Sequence, residues 1–294
     1  MLRVMKSFGK TLSYGVSGLA FALATGVFRL LPVRWASAVG GRIFRVLGPH
    51  LGINRLALRN MGRAFPDWSE GQRMETLSGM WENLGRVLGE YPHLKALETG
   101  RAGWVEVIED EHFKTLRQQP GPALILAAHM ANWELVETLH ARYGMEVAYV
   151  YREPNNPFVA RILRRFRGPY GFAKGRRGAA QLMAWLASGK KAILLVDQKM
   201  NDGLPVPFFG HDAMTAPAIA NLAHRFKCPI YSMEITRTSG TDFCIQIGAP
   251  MHVDSDKPRA QVAPHVMAKV NAVVEGWVRA HPEQWLWLHR RWPD

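Results

Sequence analysis

The 294-residue chain is 48% apolar, enough to bury a sizeable core, which excludes a disordered polymer and a disulfide-stapled mini-protein. Lys and Arg outnumber Asp and Glu by 37 to 24, a formal net charge of +13, and that surplus calls for an anionic partner: nucleic acid, a lipid surface, an acidic protein or a phosphorylated substrate. Two cysteines, Cys228 and Cys244, are too few for a disulfide framework or a structural zinc site. Both lie in apolar, strand-like stretches and read as buried, reduced thiols.

The amino terminus carries an uncharged run, LSYGVSGLAFALATGVF, over residues 12–28. It is slightly short of the roughly 20 residues a spanning helix prefers but within the tolerated range. Its small residues suit helix contacts in lipid. Arg3, Lys6 and Lys10 precede it and Arg29 and Arg34 follow, so the positive-inside rule leaves its orientation open. A membrane anchor over residues 1–33 is the expectation, ahead of an interfacial helix and an ordinary core helix. Past it, Arg34, Arg42 and Arg45 alternate with Trp35, Ile43, Phe44, Val46 and Leu47, the pattern of a helix lying against anionic headgroups.

Residues 34–98 read as helical. Ser69 with Gln72 three positions on forms a capping-box pattern that opens a helix through about Gly89. Within it Met74, Leu77, Trp81, Leu84 and Leu88 recur at three- and four-residue steps, one packed face. After Gly121 the rhythm changes. Short apolar runs at 122–128, 145–151, 191–196, 228–235 and 242–251 are separated, for the most part, by helical patterns at 133–143, 157–167, 177–188 and 216–226. Near-continuous apolar strands alternating with helices predict an α/β fold with a mostly parallel central sheet covered by helices. Residues 34–294 form one catalytic-sized domain on this reading. In such sheets ligands gather at the carboxyl ends of the strands.

At the end of the first of those strands stands AAHMANWELVE, residues 127–137. His129 leaves the strand and Glu134 follows five residues later, so a tight turn can fold the carboxylate back to the imidazole. A carboxylate accepting from one ring N–H fixes the tautomer and stabilises the imidazolium formed when the other nitrogen takes a proton. No GxSxG elbow and no cysteine near a histidine accompany the pair, so the attacking hydroxyl must come from the substrate. Alone, this spacing is a weak signal, because a histidine at a strand end is often a hydrogen-bonded structural residue.

Further blocks make it specific. His129-x4-Glu134 resembles the His-x4-Asp/Glu motif of the lysophospholipid-type acyltransferase superfamily, and the chain as a whole resembles the bacterial lipid A late acyltransferases. VYREPNNPFV at 150–159, VDQKMNDGLPVPFFGHDAMTAPAIANLA at 196–223 and PEQWLWLHRRW at 282–292 are similar to that family's other ordered blocks. The likeness implies a glycerolphosphate-acyltransferase-like fold and transfer of a fatty acyl chain from acyl carrier protein to a hydroxyl of a Kdo-bearing lipid A precursor. His129 would be the base and Glu134 its charge partner. Arg152 and Arg165 would hold phosphate or a developing oxyanion, with Arg164 and Arg167 close enough for a slip in that assignment, and Asp197 with Gln198 would complete the substrate-binding set. VDQKMNDGL lacks the longer Gly-rich stretch of some members.

The resemblance implies no metal and no cofactor. Its implied partners are the carrier-protein donor, a phosphorylated glycolipid and the membrane surface, at the bacterial inner membrane with the catalytic domain on the cytoplasmic side. An acidic carrier protein also suits a +13 chain, through electrostatic steering. Other acceptors, a different glycolipid or a lysophospholipid, share the superfamily dyad, and a non-catalytic basic membrane-binding protein is the rival from another class. The basic run at 164–180 has few interleaved aromatics and no nucleic-acid motif around it, which argues against nucleic acid. The tryptophans at 277, 285, 287 and 292 read as core or interface residues. The HRR of 289–291 is open between a headgroup clamp and a family signature.

Overall fold

The computed structural model describes residues 2–293, with side chains from residue 14 onward. Five helices lead: α1 (Leu2–Leu30), α2 (Val33–Leu47), α3 (Asn54–Ala64), α4 (Glu70–Glu90) and α5 (Leu94–Glu98). The α/β part follows as β1 (Trp104–Val107), α6 (Glu111–Gln118), β2 (Ala123–Ala127), α7 (Thr138–Tyr143), β3 (Val147–Tyr151), α8 (Pro157–Leu163), β4 (Gly171–Ala173), α9 (Arg176–Ala187) and β5 (Lys191–Leu195). It continues through β6 (Lys199–Phe208), β7 (His211–Thr215), α10 (Ala218–Phe226), β8 (Ile230–Ser239), β9 (Asp242–Ile247) and α11 (Arg259–Ala280).

The main sheet has the order β1-β9-β8-β2-β5-β3-β4. Every neighbouring pair is parallel except β8–β9, as the alternation of strands and helices predicts. Burial on both faces explains the unbroken apolar strands: Leu124 and Leu126 of β2 enter one core cluster, while Ala123, Ile125 and Ala127 enter the other. The β6–β7 hairpin, a separate two-stranded sheet, falls in a stretch where prolines at 205 and 207 interrupt the alternation of Leu204, Val206 and Phe208. β1 and β4, four and three residues long, are too short to show one.

The capping box at Ser69 is present: Gln72 N donates to Ser69 Oγ at 3.3 Å and Ser69 N donates to Gln72 Oε1 at 2.8 Å. The helix it opens crosses α2 at glycine contacts. A Cβ on Gly85 would lie 2.2 Å from the carbonyl oxygen of Gly40, and one on Gly89 would lie 2.2 Å from that of Ala36. Only residues without side chains permit so close a crossing.

α1 packs its Gly18 against Phe158 of α8, and Asn156 Nδ2 donates to Tyr14 O at 2.9 Å. Its other face is apolar and exposed at Val16, Leu19, Leu23, Val27 and Leu30, and the stripe resumes on α2 at Trp35, Val39, Ile43, Val46 and Leu47. Among the described residues no helix is long and apolar enough to cross a membrane, so the spanning anchor expected over residues 1–33 is not found there. Gly15, Gly18 and Gly26 dilute the apolar character of α1. Arg3, Lys6, Lys10 and the start of the apolar run lie outside the described side chains.

Candidate active site

β2 and β5 are adjacent and parallel, with Ala127 opposite Leu195. The residues two further along each strand, His129 and Asp197, therefore emerge side by side at the carboxyl rim of the sheet. Asp197 is 1% exposed and grips the histidine twice: its Oδ1 is 2.8 Å from His129 Nδ1, and its Oδ2 accepts from the His129 backbone N–H at 2.9 Å. Oδ2 also accepts from the indole N–H of the fully buried Trp285 at 2.8 Å. Nδ1 is then the protonated nitrogen and Nε2 carries the lone pair. The amide of the exposed Gln198 donates toward that lone pair, Nε2 to Nε2, at 3.1 Å.

Burial alone disfavours a charged His129 ring. The Asp197 charge, its hydrogen bond and the nearby charge of Glu134 outweigh that and hold the imidazole pKa above its ordinary value. Burial likewise opposes ionisation of Asp197, but the His129 ring and the hydrogen bonds around the carboxylate keep it well below the usual carboxylate range. His289, edge-on to Trp285 with ring centroids 5.0 Å apart, is pushed down to about 4 by burial and stays neutral.

The carboxylate that accepts from His129 is thus Asp197, not Glu134, and the local pairing expected across the four-residue gap is corrected. The physical cause is register: two neighbouring parallel strands deliver residues 68 apart in sequence to one point, whereas the Met130–Asn132 turn swings Glu134 aside. Glu134 instead faces Arg167, with Oε1 3.8 Å from Nη2. Asp197, expected to bind substrate, is too deeply buried to touch one.

Arg152 is exposed just past β3, on the same rim, and Arg165 is exposed beyond α8. The arginine of this segment that enters the site is Arg167, the slip the spacing had left open. Its guanidinium carbon stands 3.9 Å from the Tyr151 ring centroid and its side chain is 10% exposed, with Nε and Nη1 unpaired. Beside it Gly168 lets the chain approach closely: a Cβ there would lie 2.3 Å from the Glu137 carboxylate.

The carboxyl-terminal segment underlies this arrangement. Leu286 N donates to His129 O at 3.1 Å and Ala131 N donates to Gln284 O at 3.0 Å. Trp285, Trp287 and Trp292 are core residues. Arg291 is fully buried and donates to Thr215 Oγ1 at 3.0 Å and Asn271 Oδ1 at 2.8 Å, so this member of HRR ties the β6–β7 hairpin to α11 and meets no headgroup. A cleft of about 320 Å³ is lined by Asn83, Arg237 and Gln284, among others, and not by His129.

Comparisons with known proteins give the chain's family. The family model described as bacterial lipid A biosynthesis acyltransferase matches residues 5–294. The lipid A biosynthesis lauroyltransferase of Escherichia coli (strain K12) is 26% identical over 269 residues, 82% of each chain. A lipid A biosynthesis acyltransferase of Haemophilus influenzae is 22% identical over 280 residues, 90% of this chain and 85% of that one. Among solved structures, the 1-acyl-sn-glycerophosphate acyltransferase PlsC from Thermotoga maritima superposes with a TM-score of 0.37 and 12% identity, covering 81% of this chain and 95% of that chain. With the family model matching nearly its whole length, the chain belongs to the bacterial lipid A biosynthesis acyltransferases and is an enzyme that transfers acyl groups.

Proposed function

We propose that this enzyme moves a fatty acyl chain from the thioester of acyl carrier protein to a hydroxyl of a Kdo-bearing lipid A precursor, with His129 as general base. The observation that carries the reading is the His129–Asp197 pair at the sheet rim: Nδ1 is committed to a buried carboxylate, and Nε2 is turned to the exposed side beside Gln198. The acceptor hydroxyl gives its proton to Nε2 as its oxygen attacks the thioester carbonyl. The tetrahedral oxyanion collapses, the C–S bond breaks, and the imidazolium returns the proton to the leaving thiolate, giving an ester and a free thiol. General-base help of this kind contributes about 10²–10⁴ in rate.

Glu134 acts on His129 through its charge and holds Arg167. With donors at Nε and Nη1 unpaired, Arg167 suits an oxyanion or a phosphate oxygen. Arg152 and Arg165, both exposed, attract anionic parts of the substrates, and the chain's positive charge steers an acidic carrier protein toward it. The exposed apolar stripe of α1 and α2, flanked by Arg29, Arg34, Arg42 and Arg45, suits a helix pair lying on the cytoplasmic face of the inner membrane. Residues 1–33 then serve as an interfacial seat and residues 34–294 as the acyltransferase domain.

The test is purified protein with lauroyl-acyl carrier protein and, in separate reactions, a Kdo-bearing lipid A precursor and a lysophospholipid, read by mass spectrometry. One added acyl chain on the lipid A precursor supports the proposal. Acylation of the lysophospholipid alone, or of neither, overturns it.

A further inference from the structure

Between His129 and Glu134 the chain makes a turn that depends on side chains the chemistry does not use. Ala131 has φ = 45°, a left-handed conformation uncommon for a residue with a Cβ and sustained only where the surroundings dictate it. Its N–H is held by Gln284 O, and its carbonyl accepts from Asn83 Nδ2 at 2.9 Å.

The next residue, Asn132, has no exposed surface and uses both ends of its amide. Oδ1 accepts from the Glu134 backbone N–H at 3.2 Å, capping the helical turn Trp133–Glu137, while Nδ2 donates to Glu90 Oε2 at 2.8 Å. Glu90 is also without exposed surface. It accepts from Arg237 of β8 at 2.5 and 3.1 Å and from Ser37 Oγ of α2 at 2.7 Å. A buried ion pair is weak evidence for stability; its better-attested use is to fix a register, and here the element registered against it is the turn that carries Glu134.

Resting on the reading of His129 as base, we propose that Asn132, anchored by the Glu90–Arg237 pair, is a positioning residue that sets the distance between Glu134 and the imidazole. The acyltransferase rim is thereby tied to α4, β8 and, through Ser37, to the helix that carries the exposed apolar stripe.

The experiment uses the full chain in detergent micelles. N132S keeps a capping hydroxyl for the Glu134 N–H but is too short to reach Glu90. N132D keeps both size and cap but sets a second carboxylate against Glu90, and N132D/E90Q restores one carboxylate facing one amide. Each is assayed for lauroyl transfer from acyl carrier protein to the Kdo-bearing precursor. Each is also labelled with ¹³C-histidine and titrated by NMR, with H129A identifying the His129 signal.

The expected result for N132S is kcat down about tenfold or more, as a displaced catalytic group costs, with KM for both substrates unchanged. The His129 pKa falls in the same direction as in E134Q, and N132S adds nothing further in the E134Q background. N132D loses more, and N132D/E90Q regains most of that loss. A wild-type kcat and wild-type His129 titration in N132S overturn the proposal, as does a loss that adds in full to that of E134Q. If the wild-type protein transfers nothing from this donor to this acceptor, the functional reading fails, and the His129 titrations alone decide the positioning role.

Discussion

The sheet rim around His129 and the outer face of α1 and α2 obey opposite rules. At the rim, polar groups are inside: Asp197, Glu90, Asn132 and Trp285 are all but solvent-free, and each makes directed hydrogen bonds. On the helices, apolar groups are outside, with Leu23 62% and Val46 65% exposed. In a low-dielectric interior one atom changes a great deal, whereas a surface that works by contact area spreads its effect over many residues. Function is therefore concentrated at the rim and distributed over the helices.

The sharpest way to break this contrast is at the base. H129A is expected to lower acyl transfer by roughly 10²–10⁴-fold while the thermal unfolding midpoint stays near that of the wild type; near-normal turnover removes the mechanism. D197N tests whether Asp197 is the working carboxylate, with a loss of the same order expected and substrate KM little changed.

Next in size is the junction of the two regions. In G85A the new methyl meets the Gly40 carbonyl oxygen at 2.2 Å, so α2 and α4 must separate. Overpacking of this kind costs about 1–3 kcal/mol, measured by denaturant unfolding, and unchanged stability shows that the crossing is not tight.

A smaller effect is read in pH. Because His129 is held above its ordinary value of 6.5 and only the neutral ring accepts a proton, kcat/KM falls as pH drops through a value higher than 6.5. E134Q removes a charge that favours the imidazolium and moves this acidic limb to lower pH; a shift to higher pH contradicts the assignment. Smallest of all is a single cut in the stripe. V39S weakens partitioning onto anionic vesicles by about 1 kcal/mol, and further substitutions at Ile43 and Val46 add to it; one substitution that abolishes binding shows that the face acts through one specific contact.

The parallel sheet was legible because strands buried on both faces must be apolar throughout, as β2, β3 and β5 are, while β8 and β9 show the alternation of strands with one more open face. The Ser69 cap was legible because it is closed by a residue three positions away. The His129 turn was legible from its place at a strand end and its likeness to a family block. Arg165 was singled out where Arg167 enters the site, since three arginines in four residues carry no mark of which one faces inward.

What the sequence determined by itself is local: helical and strand periods, caps, the histidine at a strand end and a surplus of positive charge. Tertiary structure alone decided which carboxylate meets the imidazole, which arginine stands beside Glu134, that the terminal tryptophan strap underlies the site, and that Asn132 rests on Glu90. Each of those contacts joins groups between 33 and 88 residues apart. Their partners are selected by strand register and helix crossing, which one-dimensional spacing does not encode.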